Sequence, residues 1–194
     1  HRCCRRQRQM CIRDRDLSKS GIFYATYAHM ANGIWSTSKE PTRGGAMGRA
    51  FNLNAETFYL NERAGPRTIS KGELTHNREY SEEELWENFE YYIKAVKPTV
   101  EESGVKIGIH PDDPPFSLLG LPRVVSKLED YKYIFDNVPP LSNGITFCTG
   151  SLGVRSDNDL PAIFNAFADR VHFLHLRSTK RDADGNFYEA DHLE

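Results

Sequence analysis

Several absences narrow the reading before any motif is considered. No apolar run in the 194 residues approaches the roughly 18 that a bilayer span needs, and the N-terminus lacks the apolar stretch of a secretory signal. A cytoplasmic protein with no membrane partner is the expectation. Net charge is almost missing too. The 25 Lys+Arg and 27 Asp+Glu leave a formal charge of -2, which gives no general pull toward nucleic acid. Cysteine is scarce in the body of the chain: Cys3, Cys4 and Cys11 crowd the start and only Cys148 lies beyond, so a disulfide framework is excluded. No Gly-rich phosphate loop comes after any apolar run, and Thr42-Arg43-Gly44-Gly45 is only a Gly pair in a polar loop, which removes support for a nucleotide site. What is present, 39% hydrophobic and 27% charged residues, suits a globular core and excludes disorder as the main character.

The first sixteen residues, HRCCRRQRQMCIRDRD, stand apart by composition, with six arginines and almost no apolar periodicity. A nucleic-acid arm would use such arginines, but it would also want aromatic residues, and there are none here. Zinc binding by Cys3, Cys4 and Cys11 fits no finger spacing. The expected division is a basic leader over 1–16, non-native or disordered, followed by one domain over 17–194.

Past the leader, the apolar pattern alternates between two periods. GIFYATYAHM (21–30), rich in aromatic residues and followed by Asn32-Gly33, reads as a strand ending at His29. Val105–Ile109, Gly144–Phe147 and Val171–Leu174 have the length and composition of buried strands, and His110, Cys148 and His175 come directly after them. Helix patterns lie between. Ser81 with Glu84 forms a capping box ahead of Leu85, Phe89, Ile93 and Val96, with Pro98 expected to stop the helix. A second helix is expected from Asp159, with Pro161 in its first turn and Ile163, Phe164 and Phe167 as its stripe. A third is expected from about Pro122 through Val124, Val125, Leu128 and Tyr131.

This βαβα order points to a parallel sheet covered by helices. A barrel of eight such units uses about 31 residues per unit, and 38 positions separate His110 from Cys148 while 27 separate Cys148 from His175. With the nucleotide-binding open sheet disfavoured, the expected fold is an incomplete (β/α)₈ TIM barrel whose strand ends share one mouth. Two imidazoles and a thiolate on neighbouring strand ends can converge on one divalent ion. His172 competes with His175. Alternation along the strand admits only one of them to the mouth, and His175, nearer the C-terminal end, is the candidate.

The flanking residues suggest further roles. Asp112 and Asp113 come just after His110, where they can orient the imidazole, meet substrate hydroxyls or simply be solvated turn residues. The small-residue loop Thr149-Gly150-Ser151-Leu152-Gly153 offers N–H groups to an anion. Arg177 and Ser178 stand where they can hold a carboxylate.

The strings GIHPDDPP (108–115), FCTGSLG (147–153), VHFLHLRS (171–178) and FYEADHLE (187–194), together with AHMANGIWSTSKEPTRGG (28–45), resemble the mannonate dehydratase family in order and separation. The resemblance implies a barrel of the xylose-isomerase-like group and a divalent metal, Mn2+ or Fe2+. The implied reaction is dehydration of D-mannonate, a small sugar acid, to 2-keto-3-deoxy-D-gluconate in hexuronate breakdown. It matches His110, Cys148 and His175 to the family's metal ligands. It also implies barrel strands before Gly21 and after Glu194, with a further carboxylate ligand and a catalytic histidine in the later part, so the catalytic acid and base are not assigned within this chain. In that frame Arg177 and Ser178 are candidate contacts for the substrate carboxylate, and His192 for sugar hydroxyls or a proton. A homodimer is admitted for the intact protein. The rival readings are a metal-dependent sugar isomerase on the same barrel and a fragment without turnover.

Overall fold

The computed structural model describes residues 2–31, 33–62 and 65–191. In chain order the elements are α1 (Arg2–Lys19), β1 (Tyr24–Ala28), β2 (Trp35–Ser36), β3 (Ser38–Pro41), β4 (Met47–Phe51), β5 (Thr57–Glu62), β6 (Gly65–Ser70), α2 (Glu82–Ser103), β7 (Lys106–His110), α3 (Leu128–Asn137), β8 (Asn143–Cys148), α4 (Thr149–Gly153), α5 (Leu160–Ala166), β9 (Val171–His175), β10 (Thr179–Arg181) and β11 (Phe187–Glu189).

The four apolar runs of the sequence become one parallel sheet in the order β1-β7-β8-β9. Parallel strands need covered faces, and α2, α3 and α5 supply the cover on one side. Alternation sends Ala25, Tyr27, Ile107, Ile109, Ile145 and Phe147 into that layer, where they meet Phe89, Ile93 and Val96 of α2 and Ile134 of α3. Phe89, Ile93, Ile109 and Ile145 are fully buried, and burying each such side chain contributes about 1.5–3 kcal/mol. The opposite face carries Tyr24, Thr26, Gly108, Thr146 and Phe173. There Tyr24 Oη lies 2.5 Å and Thr26 Oγ1 2.7 Å from Thr146 Oγ1. Gly108 makes this possible, because a Cβ at that position would come within 2.9 Å of both Tyr24 Oη and Thr146 Oγ1.

Between β8 and β9 the register shifts by one residue. Ile145 pairs with Val171 but Thr146 pairs with Phe173, and the pairing then runs on to Cys148 and His175. His172 is the extra residue.

The helices depart from expectation at their ends. Ser81 and Glu84 do form a capping box, but α2 continues through Pro98 to Ser103. Proline removes only one bond here, on an exposed turn, while Thr99 and Val100 beyond it are buried. The third helix starts at Leu128, later than Pro122, because Asp130 Oδ2 accepts from the N–H groups of Ser126 and Lys127 and so fixes the start of the helix. Asp159 caps α5 as expected, accepting from Ala162 N at 3.0 Å. The expected boundary at residue 16 coincides with no break, since α1 runs on to Lys19. Met10 and Leu17 pack against the main core, and Ser18 Oγ donates to Ser103 O at 2.7 Å.

Two antiparallel sheets, β2-β5-β6 and β10-β11-β4-β3, enclose a second core of Trp35, Phe51, Phe58, Leu60, Ile69, Val154 and Phe187. They lie where the sequence pattern offered no strand, and they bring Arg49 and Glu189 toward the ends of the parallel strands. Among the described residues no helix is long and apolar enough to cross a membrane.

Candidate metal centre

His110, Cys148 and His175 terminate three adjacent parallel strands on one face, and the side-chain donors of all three lie within 4.8 Å of one another. His110 Nε2 is 3.3 Å from His175 Nδ1. Two nitrogens each about 2.1 Å from a tetrahedral ion stand about 3.4 Å apart, so this spacing suits a shared cation. The tautomer suits it as well: His110 Nδ1–H donates to Pro111 O at 2.7 Å, which turns the Nε2 lone pair toward the cluster.

Burial and charge tune the three groups differently. Burial works to lower the His110 pKa, but hydrogen bonding and charge from Cys148 outweigh it and the net shift is upward. Burial works to raise Cys148, and His110 together with Ser151 reverses this to a net fall, toward thiolate. His175 is lowered by burial and by the neighbouring His110 and Arg177, which favours a neutral ring with free lone pairs. Neutral imidazole and thiolate are the forms that bind metal. His172 sits at the far end of β9, bonded to Leu141 O at 2.7 Å, while His175 is the histidine of that strand in the cluster.

Asp112 and Asp113 are buried rather than solvated, and neither orients His110. Asp112 Oδ2 accepts from Val125 N at 2.9 Å, and burial pushes its carboxyl up to about 6. Asp113 accepts from Arg177 instead. Arg177 corrects an expectation, since its guanidinium is not an open fork. Nη1 donates to Asp113 Oδ2 at 2.8 Å and to Ser151 Oγ at 3.1 Å, Nε donates to both Glu189 oxygens at 2.9 and 3.0 Å, and Nη2 lies 2.7 Å from Glu189 Oε1. Arg49 completes the ring of charges through Glu189 Oε1 at 3.1 Å. Burial works against the Arg177 charge, but Asp113 and Glu189 hold its pKa above the usual value. The Ser151 N–H, expected to face an anion, donates to Cys148 Sγ at 3.4 Å. Ser178 is half-buried at the same rim, and His192 lies outside the described residues.

Sequence reasoning missed Glu189 and Arg49, and the contact of the Ser151 side chain with Arg177. The only trace was Gly150, where a Cβ would come within 2.5–2.9 Å of the Arg177 stem. That glycine marks the path of the arginine across the loop.

The family model described as D-mannonate dehydratase (UxuA) matches residues 64–194. The chain belongs to the D-mannonate dehydratase family. It is 58% identical over 111 residues to the mannonate dehydratase of Brucella canis, an overlap covering 57% of this chain and 28% of that protein. It is also 58% identical over 103 residues to mannonate dehydratase 2 of Agrobacterium fabrum, covering 53% and 26%. The crystal structure of mannonate dehydratase from Streptococcus suis serotype 2 superposes with a TM-score of 0.76 at 32% identity, covering 93% of this chain and 50% of that one. The match to the D-mannonate dehydratase family therefore spans about a quarter of these curated relatives and half of the solved chain.

Proposed function

We propose that these residues form part of an enzyme that dehydrates D-mannonate to 2-keto-3-deoxy-D-gluconate in the cytoplasm, with His110, Cys148 and His175 holding one divalent ion, Mn2+ or Fe2+. The observation that carries this reading is the convergence of the three donors at the ends of successive parallel strands, in a chain of the family whose relatives bear that name. The architecture is read as part of a (β/α)₈ barrel over 17–194. In support, Tyr24 of β1 stacks on Phe173 of β9 with centroids 5.4 Å apart, although three strand spacings of about 4.8 Å lie between those strands. A sheet curled toward this face accounts for the contact.

Loss of water from a 2,3-dihydroxy acid needs a base for the C2 proton, stabilisation of the enediolate and an acid for the leaving C3 hydroxyl. A bound divalent ion would supply the electrophile. The protein's own contribution is to present His110 with a fixed tautomer, to bias His175 toward the neutral form and to shift Cys148 toward thiolate. Half-buried Ser178, one residue beyond Arg177, is proposed for a substrate carboxylate or hydroxyl, and His192 for the sugar hydroxyls. Arg177, closed onto Asp113 and Glu189, supports the site from behind. The test is incubation of the full-length protein with D-mannonate and Mn2+, with products read by mass spectrometry. A 2-keto-3-deoxy acid lighter by one water is expected. A product of unchanged mass would replace this reading with a sugar isomerase.

A further inference from the structure

We infer that Ser151 and Arg177 are positioning residues that tune Cys148 as a sulfur ligand, acting as a two-step hydrogen-bond relay. The inference rests on the proposal that Cys148 binds the metal. Sulfur in an anionic state carries more electron density than one imidazole neighbour can balance, and the structure surrounds it with a specific donor set. Ser151 is fully buried. Its N–H donates to Cys148 Sγ at 3.4 Å, and its Oγ stands 3.4 Å from the same sulfur. That oxygen also accepts from Arg177 Nη1 at 3.1 Å. With its lone pair taken by a guanidinium, the Ser151 hydroxyl has its hydrogen free for one acceptor, and the thiolate is the acceptor in reach. A cationic donor polarises the hydroxyl and strengthens the bond that it makes in turn.

The relay is rigid because its far end is clamped. Arg177 is fixed by Asp113 and Glu189, its side chain only 10% exposed, and Arg49 braces Glu189. Thr149 Oγ1 donates to Arg177 O at 2.6 Å, tying the loop after β9 to the loop after β8. Hydrogen bonds to a ligating sulfur orient it toward the metal and stabilise its lone-pair electrons, raising the energy needed to move an electron from sulfur to metal. Loss of the Ser151 hydroxyl should therefore shift the sulfur-to-metal charge-transfer band to lower energy. A merely structural role would leave that band where it is.

The experiment loads the full-length protein with Co2+ and records the charge-transfer spectrum and a metal titration for wild type, Ser151→Ala, Arg177→Lys and Cys148→Ala. Ser151→Ala keeps the N–H bond and removes only the hydroxyl. The expected result is a red-shifted band and roughly 10- to 100-fold weaker Co2+ binding, the range found when outer partners of metal ligands are lost. Arg177→Lys should shift the band in the same direction by less, since it keeps a charge but not the fork. Should Arg177→Lys fail to fold, Ser151→Ala alone decides. An unmoved band and unchanged affinity in Ser151→Ala would overturn the relay. A wild-type spectrum with no sulfur band, identical to that of Cys148→Ala, would overturn both the relay and the assignment of Cys148 as ligand. The wild-type spectrum therefore separates the two failures.

Discussion

β8 and β9 are neighbours, run in the same direction and end in the same row of candidate ligands, but they are stabilised in opposite ways. All six residues of β8 are buried, between β7 and β9 in the sheet and beneath α3 and α5. Most of β9 is exposed, with Phe173 at 48% and Leu174 at 50%. The difference teaches that a ligand can be positioned either by its strand or by its loop. Cys148 inherits its place from a packed strand. His175 is held largely through the loop beyond β9, where Thr149, Ser151, Asp113 and Glu189 anchor residue 177.

The largest test of this contrast lies in β8. Ile145→Ala, at full burial, should cost about 2–5 kcal/mol in urea unfolding, and a loss below about 1 kcal/mol would mean that β8 is not the rigid member. Next, Cys148→Ala should lower divalent-metal affinity by at least roughly 100-fold, the upper end of what an outer partner alone can cost. Full metal content in that variant by elemental analysis would remove Cys148 from the coordination sphere. Gly150→Ala strikes between the two strands, because its Cβ meets the stem of an arginine whose head is fixed. It should destabilise by about 1–3 kcal/mol, and pairing it with a shortened residue 177 should recover part of the loss. The smallest effect belongs to β9: Leu174→Ala in this chain should stay within about 0.5 kcal/mol. A loss close to that of Ile145→Ala would show that β9 is covered, as the barrel reading requires.

Legibility in the sequence obeyed the same divide. Val105–Ile109 and Gly144–Phe147 could be read because a largely buried strand is mostly apolar, and Ser81 with Glu84 could be read because a cap is a local bond. The cluster was legible because three ligand-type residues ended three short apolar runs. The strands β3, β4, β10 and β11 were not. Ser38–Pro41 is exposed at every position, and its pairing with Met47–Phe51 depends on partners across the sheet rather than on periodicity. The surroundings of Arg177 were illegible for a related reason. Its position after His175 suggested an open fork, whereas its partners Asp113 and Glu189 lie 64 and 12 positions away, and nothing local announces them.

The one-residue shift between β8 and β9 decides the chemistry of the row by parity. Counting on from the Ile145–Val171 pair without it, Cys148 would face Leu174, and the third donor of the cluster would be a hydrocarbon. The surplus residue at 172 moves every later side chain of β9 by one step, so that an imidazole arrives opposite the thiol. Strand β9 therefore places its candidate ligand by arithmetic as much as by identity. A histidine retained at 175 would be silenced by pairing in the unshifted register, with neither candidate ligand itself altered.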